Sequence, residues 1–284
     1  GARILTAPNG TRVEIDELNP PLVLPTTLHS FVVRRLADQA PWVIGRAGMQ
    51  YRDLIPDRLG GSIIASHIRI PDGGPVPDMV HFHKVGFQLI FCVKGWVDVL
   101  YEDQGDVIRL HAGNCFIQPP EIRHRVMFAS DNIEVVEIGV PAEHVTEIDH
   151  DMELPTPHLR PEREWDGQRF VHNVAEGATW FDARLTGFVA RDTTIAANTK
   201  NVAGVQVLRR GQGDPVWSTH DADIHFTFVM EGSLTLEGDG QAPHRLVAGD
   251  AFVIPPGMRT RYADPSDDIE LLEVSLPGVM DSQV

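Results

Sequence analysis

The chain carries one pattern twice, and this constrains its fold more than any other feature. Tyr51-Arg-Asp53 through Ile68-Arg-Ile-Pro-Asp-Gly73 recurs as Ala190-Arg-Asp192 through Val207-Leu-Arg-Arg-Gly211. Further on, Gly95 matches Gly232, Gly113 matches Gly249 and Pro119 matches Pro255, so that with Asp53 and Asp192 the offsets run 139, 137, 136 and 136 residues. A near-constant offset over this length means duplication of one folding unit. Each copy also ends an apolar run on a proline pair, Phe116-Ile-Gln-Pro-Pro120 and Phe252-Val-Ile-Pro-Pro256. Proline there stops a strand and opens a tight turn. Two domains of one kind are expected.

Within each copy, β-branched and aromatic residues alternate in short runs bounded by Gly, Pro, Asp and Asn, which is strand patterning; helical periodicity is nearly absent. Strands are expected near 47–54, 61–70, 78–83, 87–93, 96–101, 107–110, 114–118, 124–128 and 132–139, with the series repeated between about 178 and 277. Many short strands of this kind close into a jelly-roll barrel, which removes open edges and leaves room inside for one small ligand. The expected fold is all-β, two tandem jelly-roll barrels. The division is an arm at 1–44, with a short helix around Val32 to Ala40, a first barrel at 45–140, a linker at 141–175, a second barrel at 176–278 and a tail at 279–284.

Composition agrees. A chain of 284 residues, 42% of them hydrophobic, can bury a core in each copy. The formal net charge is −16 and no Lys/Arg run exceeds two residues, so a nucleic-acid backbone would be repelled. No apolar stretch approaches the roughly 20 residues that span a bilayer, and the N-terminus lacks a charged-then-apolar signal pattern. Cys92 and Cys115 both sit in apolar runs, which suits buried reduced thiols in a cytoplasmic protein.

The first copy places His81 and His83 two residues apart in Val80-His-Phe-His-Lys84, and His124 after the Gly113-(five residues)-Pro119 turn. Residues two apart on a strand share a face, so two imidazoles can meet one ion with the third returning on a neighbouring strand. The spacing His81-x-His83-(four)-Gln88-(six)-Gly95, then Gly113-(five)-Pro119-(four)-His124, resembles the paired motifs of the cupin superfamily. Two positions depart from that pattern: Gln88 stands where the family has glutamate, and Glu121 where it has glycine.

The resemblance implies a first barrel that binds one divalent metal through His81, His83 and His124, with Gln88 as a weak fourth ligand or as a donor that orients a substrate oxygen. Gln88 brings a neutral amide in place of a carboxylate. A charge-neutral three-histidine set is similar to that of cupin dioxygenases that use Fe(II), and differs from the 2-His-1-carboxylate triad. Fe2+ is favoured, with Zn2+, Mn2+ and Ni2+ as alternatives. Pocket candidates are His67, Arg69, Ile90, Cys92, Phe116 and Val126; catalytic candidates are Gln88 and Glu121, the latter at the pocket mouth. In two-barrel members the arm lies across the other barrel, and a homodimer is expected.

The second copy replaces His81, His83, Gln88 and His124 with Ser218, His220, His225 and Thr260. His220 and His225 remain as a weak site, completed by water or His244; otherwise the barrel serves packing, with an apolar pocket between Trp217, Phe226, Phe228 and Tyr262.

The leading function is an Fe(II) dioxygenase for a small oxygenated compound, aromatic or diketone-like, with O2 as co-substrate. A redox-neutral Zn or Mn isomerase, lyase or hydrolase is the first alternative and a non-enzymatic small-molecule-binding protein the second. Fold alone does not choose among them.

Overall fold

The computed structural model of the chain describes residues 3–15, 21–38 and 41–283. Two tandem barrels of antiparallel strands are present, and among the described residues the α-helix is confined to the single turn Ile195–Asn198. No described helix is long and apolar enough to cross a membrane.

The first barrel closes from two sheets. One runs Ile108–His111, Trp96–Tyr101, His124–Ala129, His81–Lys84 and Val145–Ile148, with Gly74–Pro75 beside His124–Ala129. The other runs Val171–Asn173, Cys115–Ile117, Phe87–Lys94, Ile133–Val140, Ile64–Ile70, Gln50–Asp53 and Val43–Ile44. The second barrel repeats the larger sheet as Phe181–Asp182, Phe188–Asp192, Gly204–Arg210, Glu270–Leu276, Ile224–Glu231, Ala251–Val253 and Val32–Arg34. Its other wall is built from His244–Val247, Ser233–Gly238 and Thr260–Ala263, with Thr219–His220 paired to Ser282–Gln283.

The segments flanking each barrel cross to the other copy. Val32–Arg34 precedes the first barrel yet pairs with Ala251–Val253 of the second, Val33 opposite Phe252. Val171–Asn173 precedes the second barrel and pairs with Cys115–Ile117 of the first, His172 opposite Phe116. The short helix expected around Val32 to Ala40 is therefore a strand followed by the 3-10 turn Leu36–Asp38, with residues 39–40 outside the described set. The β-branched pair Val32-Val33 finds an open sheet edge, and ladder hydrogen bonds outweigh weak helical propensity.

Strand alternation decides what each face does. Phe87, Leu89 and Phe91 point out of the first barrel and Phe226, Phe228 and Val274 out of the second, and all join one buried apolar cluster between the two large sheets. Each such side chain removed from water contributes about 1.5–3 kcal/mol. Two further clusters fill the barrel interiors. A buried arginine from each copy crosses the seam: Arg52 Nη2 donates to the Gly249 carbonyl at 2.5 Å, and Arg191 Nη2 to the Gly113 carbonyl at 2.7 Å.

Candidate metal centre

His81 and His83 lie on strand His81–Lys84, both buried, while Phe82 between them turns outward under the Arg123 guanidinium. His124 opens the neighbouring strand His124–Ala129 and stands directly opposite His81 in the ladder. One nitrogen from each of the three rings falls within 4.8 Å of the others. A contact across the sheet thus joins what the sequence separates by more than 40 residues.

Each ring is held by its Nδ1. His81 Nδ1 meets the Met79 carbonyl at 2.8 Å, His83 Nδ1 the Thr146 hydroxyl at 2.8 Å, and His124 Nδ1 the Ile122 carbonyl at 3.0 Å. The carbonyl partners fix the tautomers of His81 and His124, and with Nδ1 engaged on all three rings Nε2 is the nitrogen left for a common ion, as outer hydrogen bonds arrange for metal-binding histidines. His81 Nε2 is buried and has no protein partner. Such an orphan costs about 1–3 kcal/mol unless a ligand satisfies it. Burial, then the Arg46 charge, lowers the pKa of His81; burial, then neighbouring imidazoles, lowers those of His83 and His124. All three are neutral, the state that ligates. The donor set, its outer hydrogen bonds and the orphaned nitrogen fit a divalent cation.

A cavity of about 90 Å³ opens beside this centre. His83, His124, Glu137 and Arg46 supply its polar lining near the rings, and Ile90, Phe116 and Val126 stand among its apolar walls. On this measure, at roughly 10–15 Å³ per water, it holds several waters or one compact ligand.

Several sequence assignments are corrected. His67 and Arg69 do not reach the cavity. They share the outward face of Ile64–Ile70 with Ala65, and His67 packs between Trp42 and Phe228 of the other barrel, bonded to Arg52 and Glu134. Arg69 lies over the Trp42 ring and donates to Gln50. Cys92 does face inward but is sealed in the core, where burial raises its thiol pKa to about 12. Glu121 sits on an exposed turn at φ 62, which accounts for glycine in the family pattern, and its carboxylate lies 3.9 Å from Arg123 rather than at the cavity. Gln88 is buried, and its Nε2 donates to Glu137 Oε1 at 2.7 Å.

Two residues at the centre escaped sequence reading. Glu137 projects inward from Ile133–Val140 beside Gln88, so the site is not free of carboxylate. His144 lies on the following turn, its ring 4.5 Å from that of His83 between centroids. The duplication held a signal for Glu137, because Glu273 stands 136 residues on. No periodicity marks His144.

In the second barrel a salt bridge occupies the corresponding place. Arg184 Nη2 donates to Glu273 at 2.5 Å and lies 3.0 Å from His225 Nε2, which is itself 2.7 Å from Glu273. The weak His220/His225 metal site is thus replaced by a guanidinium, while His244 lies elsewhere, against Phe31 and Arg35. The apolar pocket expected there is also absent among the described residues: Phe226 and Phe228 face the seam, and Tyr262 fills the interior.

Burial would raise the pKa of Glu273, but Arg184 and His225 overcome it and hold the value near 2. Burial, then His225, lowers His220 from 6.5 to about 3. In both cases the unfolded chain binds protons that the folded chain refuses, so stability is present above the unfolded values and is lost on acidification. Thermal unfolding of metal-free protein should fall in Tm as pH drops from about 6.5 toward 3. His220→Asn should flatten the upper part of that decline; a pH-independent Tm would refute the assignment.

No curated protein sequence matches this chain. A family model described as Cupin domain matches residues 204–275, within the second copy. A salicylate 1,2-dioxygenase mutant from Pseudoaminobacter salicylatoxidans, in complex with gentisate, superposes with a TM-score of 0.66 at 15% identity, covering 92% of this chain and 87% of that one. The chain has the two-barrel cupin fold. An oxalate decarboxylase–formate complex from Lactobacillus farciminis matches with a TM-score of 0.66 at 14% identity, covering 92% and 91%. A Bacillus subtilis oxalate decarboxylase mutant gives 0.65 at 13%, covering 98% and 88%. At these identities the likeness shows the bicupin fold alone.

Proposed function

We propose that this bicupin is a metal-dependent oxidoreductase, an Fe(II) dioxygenase acting on a small oxygenated compound, aromatic or diketone-like. The observation that carries the reading is the trio of Nδ1-anchored imidazoles beside a small apolar cavity. The structural likeness to a salicylate 1,2-dioxygenase supports it. A divalent ion at the three histidines would supply Lewis acidity toward a chelating oxygen pair and, as iron, electrons for O2 activation.

The chain's own residues set the rest. Ile90, Phe116 and Val126 exclude water from the reacting end and select a compact, apolar-bodied substrate. Arg46, steadied by Asp78 at 3.1 Å, places a positive charge on the cavity lining for an anionic substituent. Tyr101 accepts from Gln118 Nε2 at 2.8 Å, and burial pushes its hydroxyl pKa upward, so it serves as wall rather than acid. The same reading takes the protein as a cytoplasmic homodimer.

Iron-loaded protein should consume O2 when offered hydroxylated aromatic acids or 1,3-diketones, followed with an oxygen electrode. A flat trace across that panel would sink the dioxygenase. Turnover in the absence of O2 would favour a redox-neutral lyase, isomerase or hydrolase using Zn or Mn, a second reading supported by the cavity carboxylate of Glu137 and by the likeness to oxalate decarboxylases.

A further inference from the structure

We propose that Glu137 and His144 join His81, His83 and His124 around the bound ion, with Glu137 supplying the carboxylate that the Gln88 position lacks. The inference rests on the metal reading above. A nitrogen of His83, a nitrogen of His144 and an oxygen of Glu137 lie within 4.8 Å of one another, the same closeness that unites the three histidines. The two trios share His83. One is neutral, and the other is two imidazoles and a carboxylate, a set suited to a divalent cation with open positions.

Three features hold these side chains beside His83. Gln88 Nε2 donates to Glu137 Oε1 at 2.7 Å and lies 3.3 Å from His144 Nε2, so the amide tethers both groups. Gly139, two residues beyond Glu137 on the same inward face, makes room for the His144 ring: a Cβ there would lie 2.2 Å from His144 Nδ1. The third feature is the internal duplicate. At Glu273 the carboxylate faces the Arg184 guanidinium. In the first barrel the arginine leading into strand Gln50–Asp53 is Arg46, and it pairs with Asp78 instead. Glu137, its side chain only 18% exposed, is left with an amide and with His144 at 3.7 Å. Where the second barrel neutralises its buried carboxylate with a fixed guanidinium, the first leaves that place to a metal ion.

The test uses full-length protein stripped with chelator and titrated with Co(II), read by competition with a chromophoric chelator and by ligand-field absorption. Wild type should bind about one equivalent. Glu137→Gln and His144→Ala should each weaken binding by at least about tenfold and change the Co(II) spectrum, because each removes a ligand. An unchanged spectrum in both, with or without weaker binding, would overturn the proposal by placing both side chains outside the coordination sphere. X-ray absorption on wild-type Co(II) protein reads the same question without any variant: four imidazoles are expected, and three would overturn it. Failure of wild type to take up Co(II) would instead overturn the metal reading itself, and the inference with it.

Discussion

Protein in which His81 and His83 are both alanine should retain no stoichiometric metal after purification without a polyhistidine tag, whereas wild type should carry about one equivalent by elemental analysis. The two substitutions remove two donors from one strand, among them His83, which both clusters of candidate ligands share, so neither cluster keeps its full donor set and stoichiometric binding should be lost. Thermal denaturation supplies a second readout. An ion that binds only the folded chain adds RT ln(1 + [L]/Kd), about 2.7 kcal/mol at a free concentration one hundred times Kd. Wild-type Tm should therefore rise with added metal, and the variant's should not move. The variant also loses the orphaned Nε2 of His81, which removes a buried unsatisfied group from the apo protein. A metal-free wild type would leave a binding protein as the better description, and iron retained in the variant would move the site elsewhere.

Arg191→Ala should destabilise the fold markedly without touching the centre. Arg191 is 2% exposed, and its guanidinium reaches the Gly113 carbonyl across the seam. A charge-assisted bond of this kind contributes about 1.5–3 kcal/mol, and its loss strands a buried carbonyl. Removing the aliphatic stem opens a void in addition. At about 2–4 °C per kcal/mol for a chain of this size class, Tm should fall by roughly 5–10 °C. Arg52→Ala should behave alike, since it loses the Gly249 carbonyl and His67 together. Metal stoichiometry should remain that of wild type in both, as neither arginine lines the cavity beside the three histidines. Melting within 1–2 °C of wild type would show that the apolar seam alone joins the barrels.

The fold was legible because strand periodicity needs only local sequence. Phe87–Lys94 and Trp96–Tyr101 fall almost where alternation puts them, and two histidines two apart can only share a face. What alternation does not reveal is which face looks inward. His67 and Arg69 share the face of Ile63 and Ala65, and that face turned out to meet Phe228 across the seam rather than the cavity. Glu137 was hidden by the same ambiguity: Ile133–Val140 carries Glu134 and Glu137, one turned to His67 and the other to Gln88, with an irregular register between Glu134 and Val135. His144 lies on a turn at φ 47, and only tertiary packing brings it to His83.

The exchange of flanking strands gives the chain the architecture of a swapped dimer written into one polypeptide. Each repeat lends its leading segment to the other, so the boundary between units in space is not a boundary in sequence. A fragment cut after the last sequential strand of the first barrel would expose Cys115–Ile117 as a bare hydrophobic edge, and one beginning at the second barrel would do the same to Ala251–Val253. Such edges recruit foreign strands. Excising the metal-binding half for study therefore requires carrying the chain through Asn173, beyond the point where its own repeat ends.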